Sequence, residues 1–99
     1  MDALVSFRFL LSTGFFRAES YFITISNSQI HLEPQEGGRK IRIPREQLQN
    51  IMVYSDVREI EIVTSDEVFI GRLDNNCRLD MVMNTLSLSF DSQLEYRPH

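Results

Sequence analysis

The chain is poor in features that several classes of protein require. Its 99 residues include one cysteine, Cys77, so no intramolecular disulfide can form, which fits a reducing compartment. The first apolar stretch is interrupted by Ser6 and Arg8, and no basic region precedes it, so we predict neither a signal peptide nor a membrane span. These absences lead us to expect a cytoplasmic protein.

Positive charge is also scarce. Ten Lys and Arg residues face 14 Asp and Glu residues, and the net charge of −4 argues against non-specific attraction to nucleic acid or to anionic bilayers. The chain is nevertheless 42% hydrophobic and 10% aromatic, which is typical of a folded protein. At this length we expect one domain with a single core.

Seven short runs of alternating apolar and polar residues occupy residues 3–73. Alternation with a period of two is typical of strands that bury one face. Turn signals separate the runs, and the clearest is residues 34–38, where one proline precedes two glycines. The predicted strands centre on residues 5–11, 21–25, 30–32, 41–43, 51–53, 60–62 and 68–70.

Residues 75–90 form the one segment with a convincing helical period. At 100° per residue an apolar stripe runs along one side, and Asp74, Asn75 or Asn76 can supply the N-cap oxygen. We predict that this helix covers an open end of the sheet and belongs to the core. The stripe consists of Leu79, Val82, Met83, Leu86 and Phe90.

These patterns predict a mainly β fold: a seven-stranded antiparallel sandwich or barrel capped by one C-terminal α-helix. The domain is expected to span residues 1–90, followed by a polar tail at 91–99. Residues expected in the core are Ile23, Ile25, Ile41, Ile43, Ile60, Ile62, Leu79, Leu86 and Phe90.

This order of elements resembles the pleckstrin-homology-like superfold, especially its GRAM and bacterial PH-like branches. The resemblance runs through residues 21–27, 40–44, 48–51 and 60–64 and ends in the helix. It implies that the first four strands form one sheet and the last three another, with the helix plugging one end. It also implies a module that binds phosphoinositides, peptides or proteins and is rarely an enzyme.

The phosphoinositide function that the resemblance implies depends on where the chain carries its cations. A multiply charged headgroup needs several cationic donors at once. The first strand pair offers Arg8 and Arg17, with Glu19 beside the latter, which makes a poor headgroup site. Binding of phosphoinositide or another anionic lipid therefore stays as the alternative function.

A denser basic cluster occurs further along the chain. It predicts either a weak site for an anion, a lipid or an acidic peptide, or a solvated strand that guards a sheet edge and pairs with acids such as Glu59 or Glu61. No aromatic residue is interleaved with it, so nucleic-acid binding is not favoured. The cluster consists of Arg39, Lys40, Arg42 and Arg45.

Catalytic and metal-binding patterns are missing. His31 stands alone on a predicted strand, and Cys77 has neither a histidine nor a second cysteine nearby, as a nucleophile pair or a zinc site would require. The predicted helix N-terminus next to Cys77 should lower its thiol pKa. We therefore predict a non-catalytic protein without a metal or a cofactor.

Two apolar features call for a partner. Cys77, Met81 and Leu88 lie at about 160°, 200° and 180° from Leu79 on a helical wheel, opposite the core stripe. Phe15 and Phe16 are a bulky pair between the first two strands, where they either contact a partner or fold under the loop. We predict an interaction module that binds a protein or peptide, with a second copy of the chain as one candidate. The outer stripe is covered either by that partner or by the C-terminal tail.

Overall fold

The computed structural model describes residues 3–14, 17–26 and 29–97. Eight strands and one α-helix (α1) follow one another, with short 3₁₀ turns at Arg45–Gln47 and Asp91–Gln93. Phe15 and Phe16 lie outside the described residues, as do residues 27–28. The elements are β1 (Ala3–Gly14), β2 (Arg17–Ser26), β3 (Gln29–Pro34), β4 (Ile41–Pro44), β5 (Leu48–Tyr54), β6 (Glu59–Thr64), β7 (Val68–Leu73), α1 (Leu79–Phe90) and β8 (Leu94–Arg97).

All eight strands belong to one open sheet in the order β4-β3-β2-β1-β7-β6-β5-β8. Neighbours are antiparallel except β5 and β8, which run parallel. The resemblance implied two separate sheets, but β1 joins the two halves, because Phe9, Leu10 and Leu11 pair with residues 71–73 of β7. Within the described residues, β4 and β8 are the two edges.

The twelve-residue strand β1 is long enough to belong to both halves. It pairs with β2 along most of its length, with register shifts between Ala3 and Val5 and between Ser12 and Gly14. Such irregularities increase the local bend and twist of a strand. The buried side chains of both halves form one hydrophobic cluster, so the sheet bends around a single core as a sandwich.

The alternation read from the sequence places the core correctly in most strands. Ile41 and Leu79 are half-buried and pack against the cluster, because the first begins an edge strand and the second begins the helix. The other expected core residues are buried, namely Ile23, Ile25, Ile43, Ile60, Ile62, Leu86 and Phe90.

The helix has the predicted orientation but begins later than expected. Its N-cap is Arg78, and no side chain makes a capping hydrogen bond. Asp74 is engaged elsewhere: its Oδ1 accepts a hydrogen bond from the backbone N–H of Asn76 at 3.0 Å, and its carbonyl accepts one from Cys77 at 2.9 Å. Residues 74–77 therefore form a turn before α1, and the prediction of an Asp or Asn N-cap was wrong.

The eighth strand lies in the predicted polar tail. Residues Leu94–Arg97 pair with Ile51–Tyr54 of β5, and Leu94 is half-buried against the core. The prediction of seven strands was thus one short. Four residues carry too little alternation to identify a strand from sequence, and the pairing depends on where α1 delivers the chain.

Candidate functional site

The outer face of α1 carries two large apolar side chains that the fold does not cover. Met81 is 49% exposed and Leu88 is 83% exposed, whereas Val82, Leu86 and Phe90 on the opposite side are almost fully buried. Seven residues make about two helical turns, so Met81 and Leu88 lie on one face about 10 Å apart along the axis. The structure thus leaves this part of the predicted outer stripe facing solvent.

The described part of the C-terminal tail, residues 91–97, does not cover this face. It continues from α1 through a 3₁₀ turn into β8, which pairs with β5 and packs Leu94 against the core. The exposure of Leu88 contradicts the alternative in which the tail folds back over the outer stripe. The tail takes the other course because the unpaired edge of β5 offers backbone hydrogen bonds to a strand.

Cys77 lies in the turn before the helix and not on its outer face. The residue is half-buried and packs against the core cluster. Burial raises the pKa of its thiol, and the neighbouring Arg58 charge only partly opposes that effect. The expectation of a lowered pKa was therefore wrong, because Cys77 precedes the helix and loses hydration there.

Cys77 and Met81 nevertheless line one concavity beside the N-terminal end of α1. This concavity has a volume of about 560 Å³, and Phe7 and Arg8 of β1 form its opposite side. Leu88 lies two turns further along the helix. The outer face of α1 and this concavity together form a surface that we call the helix face, defined by Phe7, Arg8, Cys77, Met81 and Leu88.

Arg58 fixes the turn that leads into the helix. Its Nη2 donates hydrogen bonds to the carbonyl oxygens of Asp74, at 3.0 Å, and of Cys77. The Arg58 carbonyl in turn accepts a hydrogen bond from the N–H of Leu73 at 2.9 Å. Arg58 adopts a positive φ of 56°, which is uncommon for a residue other than glycine. Sequence reasoning missed this residue, because its partners lie 16 and 19 positions away.

The predicted basic cluster does not converge on one point. Arg39 pairs with Glu67 at 2.7 Å, and Lys40 pairs with Glu33 at 3.3 Å. Arg42 donates from Nε to Gln29 Oε1 at 2.5 Å. The prediction that these cations pair with Glu59 or Glu61 was wrong. Four strands, β3, β2, β1 and β7, lie between β4 and β6 in the sheet.

Arg45, the fourth member of the cluster, packs on the C-terminal end of α1. Its guanidinium donates to the Ser89 carbonyl and lies 4.8 Å from the centroid of the Phe90 ring. A cation at this end of a helix interacts favourably with the helix dipole. Arg45 therefore supports the helix at a distance from the outer strand face that carries Arg42.

The two cations considered for a phosphoinositide headgroup are also apart. Arg8 lies opposite Phe22 in the β1–β2 register, and its Cζ is 5.9 Å from the centroid of that ring. Arg17 begins β2, five residues before Phe22, which corresponds to about 17 Å of extended strand. Two cations at that separation do not act on one headgroup as a pair.

Other site classes find little support in the described part of the chain. No group of three or more His, Cys, Asp or Glu residues is placed to hold a metal ion. No helix among the same residues is both long and apolar enough to span a bilayer. His31 is exposed on β3, opposite Thr24 and Arg42.

Comparison with known proteins reports on the fold. No protein-family model matches the chain, and no curated protein is significantly similar to it. Among solved structures, the N-terminal PH domain of human ARAP2 is similar with a TM-score of 0.69 and 18% identity, over 90% of this chain and 80% of that one. A structure of the Spt16D Pob3N heterodimer is similar with a TM-score of 0.74 and 15% identity. This chain is covered completely in that match but spans only 56% of its neighbour.

Identities this low bear on architecture alone. Both similarities extend over nine-tenths or more of this chain's length. The GRAM branch is not indicated by either of them. The chain adopts the pleckstrin-homology-like superfold.

Proposed function

We propose that this protein is a non-catalytic interaction module that binds a protein or peptide partner through the helix face. The observation that carries the proposal is Leu88, which is 83% exposed on a helix whose opposite side is buried in the core. Exposed apolar patches on soluble proteins mark interaction sites. Met81 adds a flexible, polarisable side chain of the kind that adapts to a contact surface.

The size of the required contact can be estimated. Burying a Leu or Met side chain contributes about 1.5–3 kcal/mol, whereas association costs about 4–15 kcal/mol in lost translational and rotational freedom. Met81 and Leu88 alone do not offset that cost. The contact therefore extends into the neighbouring concavity, where the half-buried Cys77 provides more apolar surface and Arg8 provides a charged rim.

A second copy of the chain is one candidate partner. A two-fold contact would place the same helix face on both copies, so Leu88 of each would be buried by one interface. Light scattering after size-exclusion chromatography measures this directly. A dimeric mass would identify the partner as a second copy, and a monomeric mass would assign the helix face to a different protein.

The test uses the double substitution Met81→Lys and Leu88→Lys. Both side chains are exposed, so we expect the fold to be retained, with each change altering stability by about 0.5 kcal/mol or less. Association with the partner should be lost. The matched control is Val57→Lys with Val68→Lys, which adds the same two charges at exposed valines outside α1, between β5 and β6 and at the start of β7. The proposal would be refuted if both variants lost association equally, or if the Met81→Lys, Leu88→Lys protein unfolded.

Binding to a phosphoinositide or another anionic lipid is the competing function. The four cations of the basic cluster do not converge on one point, and Arg8 and Arg17 are far apart, so the cations do not support it. Co-sedimentation with phosphoinositide-containing vesicles at physiological salt distinguishes the two functions. Headgroup-dependent sedimentation of the wild-type protein would place membrane binding first.

A further inference from the structure

The outer surface of β1–β4 carries a second set of side chains, which the proposed helix-face contact does not require. Ser6, Thr24, His31 and Arg42 are successive cross-strand neighbours, one from each of the four strands. Ser6 and Thr24 are joined by a hydrogen bond of 3.2 Å between their hydroxyl groups. The register therefore builds a continuous polar row that ends in a cation at the sheet edge.

A concavity of about 720 Å³ lies over this row and is open to solvent. Phe22 and Ile41 provide its apolar surface, and Phe22 is 39% exposed although it lies on a regular strand. The guanidinium of Arg8 lies 5.9 Å from the Phe22 ring centroid, on the side away from Arg42. The surface thus has an aromatic ring near its centre and cations around it.

The charge of this surface is opposite to that of the whole molecule. Its lining holds two cations, Lys40 and Arg42, and one carboxylate, Glu33, in a protein whose net charge is −4. The Lys40–Glu33 pair is 3.3 Å long and both side chains are mostly exposed, so it is a weak interaction that another carboxylate can replace. Arg42 uses Nε for Gln29, and its terminal nitrogens have no partner within the described residues.

We propose that this surface binds an acidic peptide segment of a partner protein. Carboxylates of the peptide pair with Arg42 and Lys40, and an apolar side chain packs against Phe22 and Ile41. Nucleic acid fits less well, because stacking of successive bases needs several rings and the concavity offers one exposed aromatic ring among its lining residues. An anionic bilayer fits less well, because attraction to it is worth about 1 kcal/mol per cation and the lining offers two cations, Lys40 and Arg42. The proposal goes beyond the helix-face contact and is independent of it.

The test measures fluorescence anisotropy of a fluorescein-labelled synthetic peptide in which glutamate alternates with leucine. We expect micromolar binding that weakens from about 50 mM to about 300 mM salt. Lys40→Glu with Arg42→Glu should weaken it by about tenfold or more. Phe22→Ala should weaken it by about fivefold. The neutral pair Lys40→Gln with Arg42→Gln serves as a milder variant, and circular dichroism confirms the fold of each protein.

The matched control is Arg17→Glu with Arg72→Glu, which makes the same charge change at exposed cations outside the concavity. Affinity within about twofold of wild type is expected there, as for exposed charges without a close partner. The Met81→Lys, Leu88→Lys protein should also bind the peptide normally, which separates this site from the helix face. The proposal would be overturned if the control variant lost peptide affinity equally, or if the wild-type protein did not bind the peptide at low salt. Tighter Arg42-dependent binding of oligothymidylate or of anionic vesicles would also overturn it.

Discussion

Two leucines of α1 provide a matched pair for testing the orientation of the helix. Leu86 is 2% exposed within the core cluster, and Leu88, two residues later, is 83% exposed. The same substitution to alanine removes the same atoms in the same helix. At Leu86 it also leaves a cavity, so we expect a loss of about 3 kcal/mol in the free energy of unfolding, within the usual range of about 2–5 kcal/mol for such changes. At Leu88 the expected change is about 0.5 kcal/mol or less.

Urea unfolding followed by far-UV circular dichroism measures both values, and the chain has no tryptophan to report by fluorescence. A loss of 3 kcal/mol should lower the melting temperature by about 12–24 °C in a domain of this size. The slope of free energy against urea should be unchanged in both variants if only stability is altered. Equal losses at the two positions, or a larger loss at Leu88, would refute the assignment of the buried and outer faces.

Three further predictions concern positions outside the helix. Arg58→Ala should lower the free energy of unfolding, measured in urea, by about 2 kcal/mol, since its hydrogen bonds to the Asp74 and Cys77 carbonyls are lost. Arg58→Gly should lower it by about 1 kcal/mol less than alanine does, because glycine tolerates the positive φ. A glycine variant less stable than the alanine variant would contradict this account of the turn. Gly71→Ala should lower the free energy of unfolding by about 1–3 kcal/mol or prevent folding, because an added Cβ would lie 2.5 and 2.7 Å from Cε2 and Cε1 of Phe9. An alanine variant that melts at the wild-type temperature would contradict this close packing. The raised pKa of the buried Cys77 thiol stabilises the fold at pH values below its unfolded pKa, and this contribution fades as the thiol ionises in the folded state. The rate of its alkylation by iodoacetamide should therefore increase at a higher pH in the folded protein than in the urea-unfolded protein. A pH midpoint of alkylation that is lower in the folded protein would contradict burial as the cause.

The strands were predictable where β-branched residues alternate with polar ones. In β6, Ile60 and Ile62 are buried while the neighbouring Glu59 and Glu61 are not, as a period of two requires. The helix was predictable for the same kind of reason, with a period of 3.6. Both patterns are local, so one sequence is enough to recognise them.

Features that depend on distant parts of the chain were not predictable. Glu67 pairs with Arg39 across 28 residues, and that neighbourhood follows from the path of the whole sheet. Pairing of β8 with β5 depends on the point at which α1 ends. The helix start was misplaced because Asp74, a favourable N-cap residue, is engaged in the preceding turn.

The candidate site shows the same division. Met81 and Leu88 were found from the helical wheel, and both are exposed. Cys77 was assigned to that stripe by extending the helix too far toward the N-terminus. The concavity over Phe22 was missed, because its cations and its ring come from different strands and meet only through the register of β1–β4.

The central claim is that another macromolecule contacts the outer face of α1 at Leu88. Site-specific photo-crosslinking tests it most directly, with benzoylphenylalanine in place of Leu88 and, as the control, in place of Val57, which is 47% exposed on a different surface. We expect a discrete crosslinked adduct from position 88 that is absent from position 57 and disappears when Met81 is also changed to lysine. No adduct from position 88, or the same adducts from both positions, would contradict the claim.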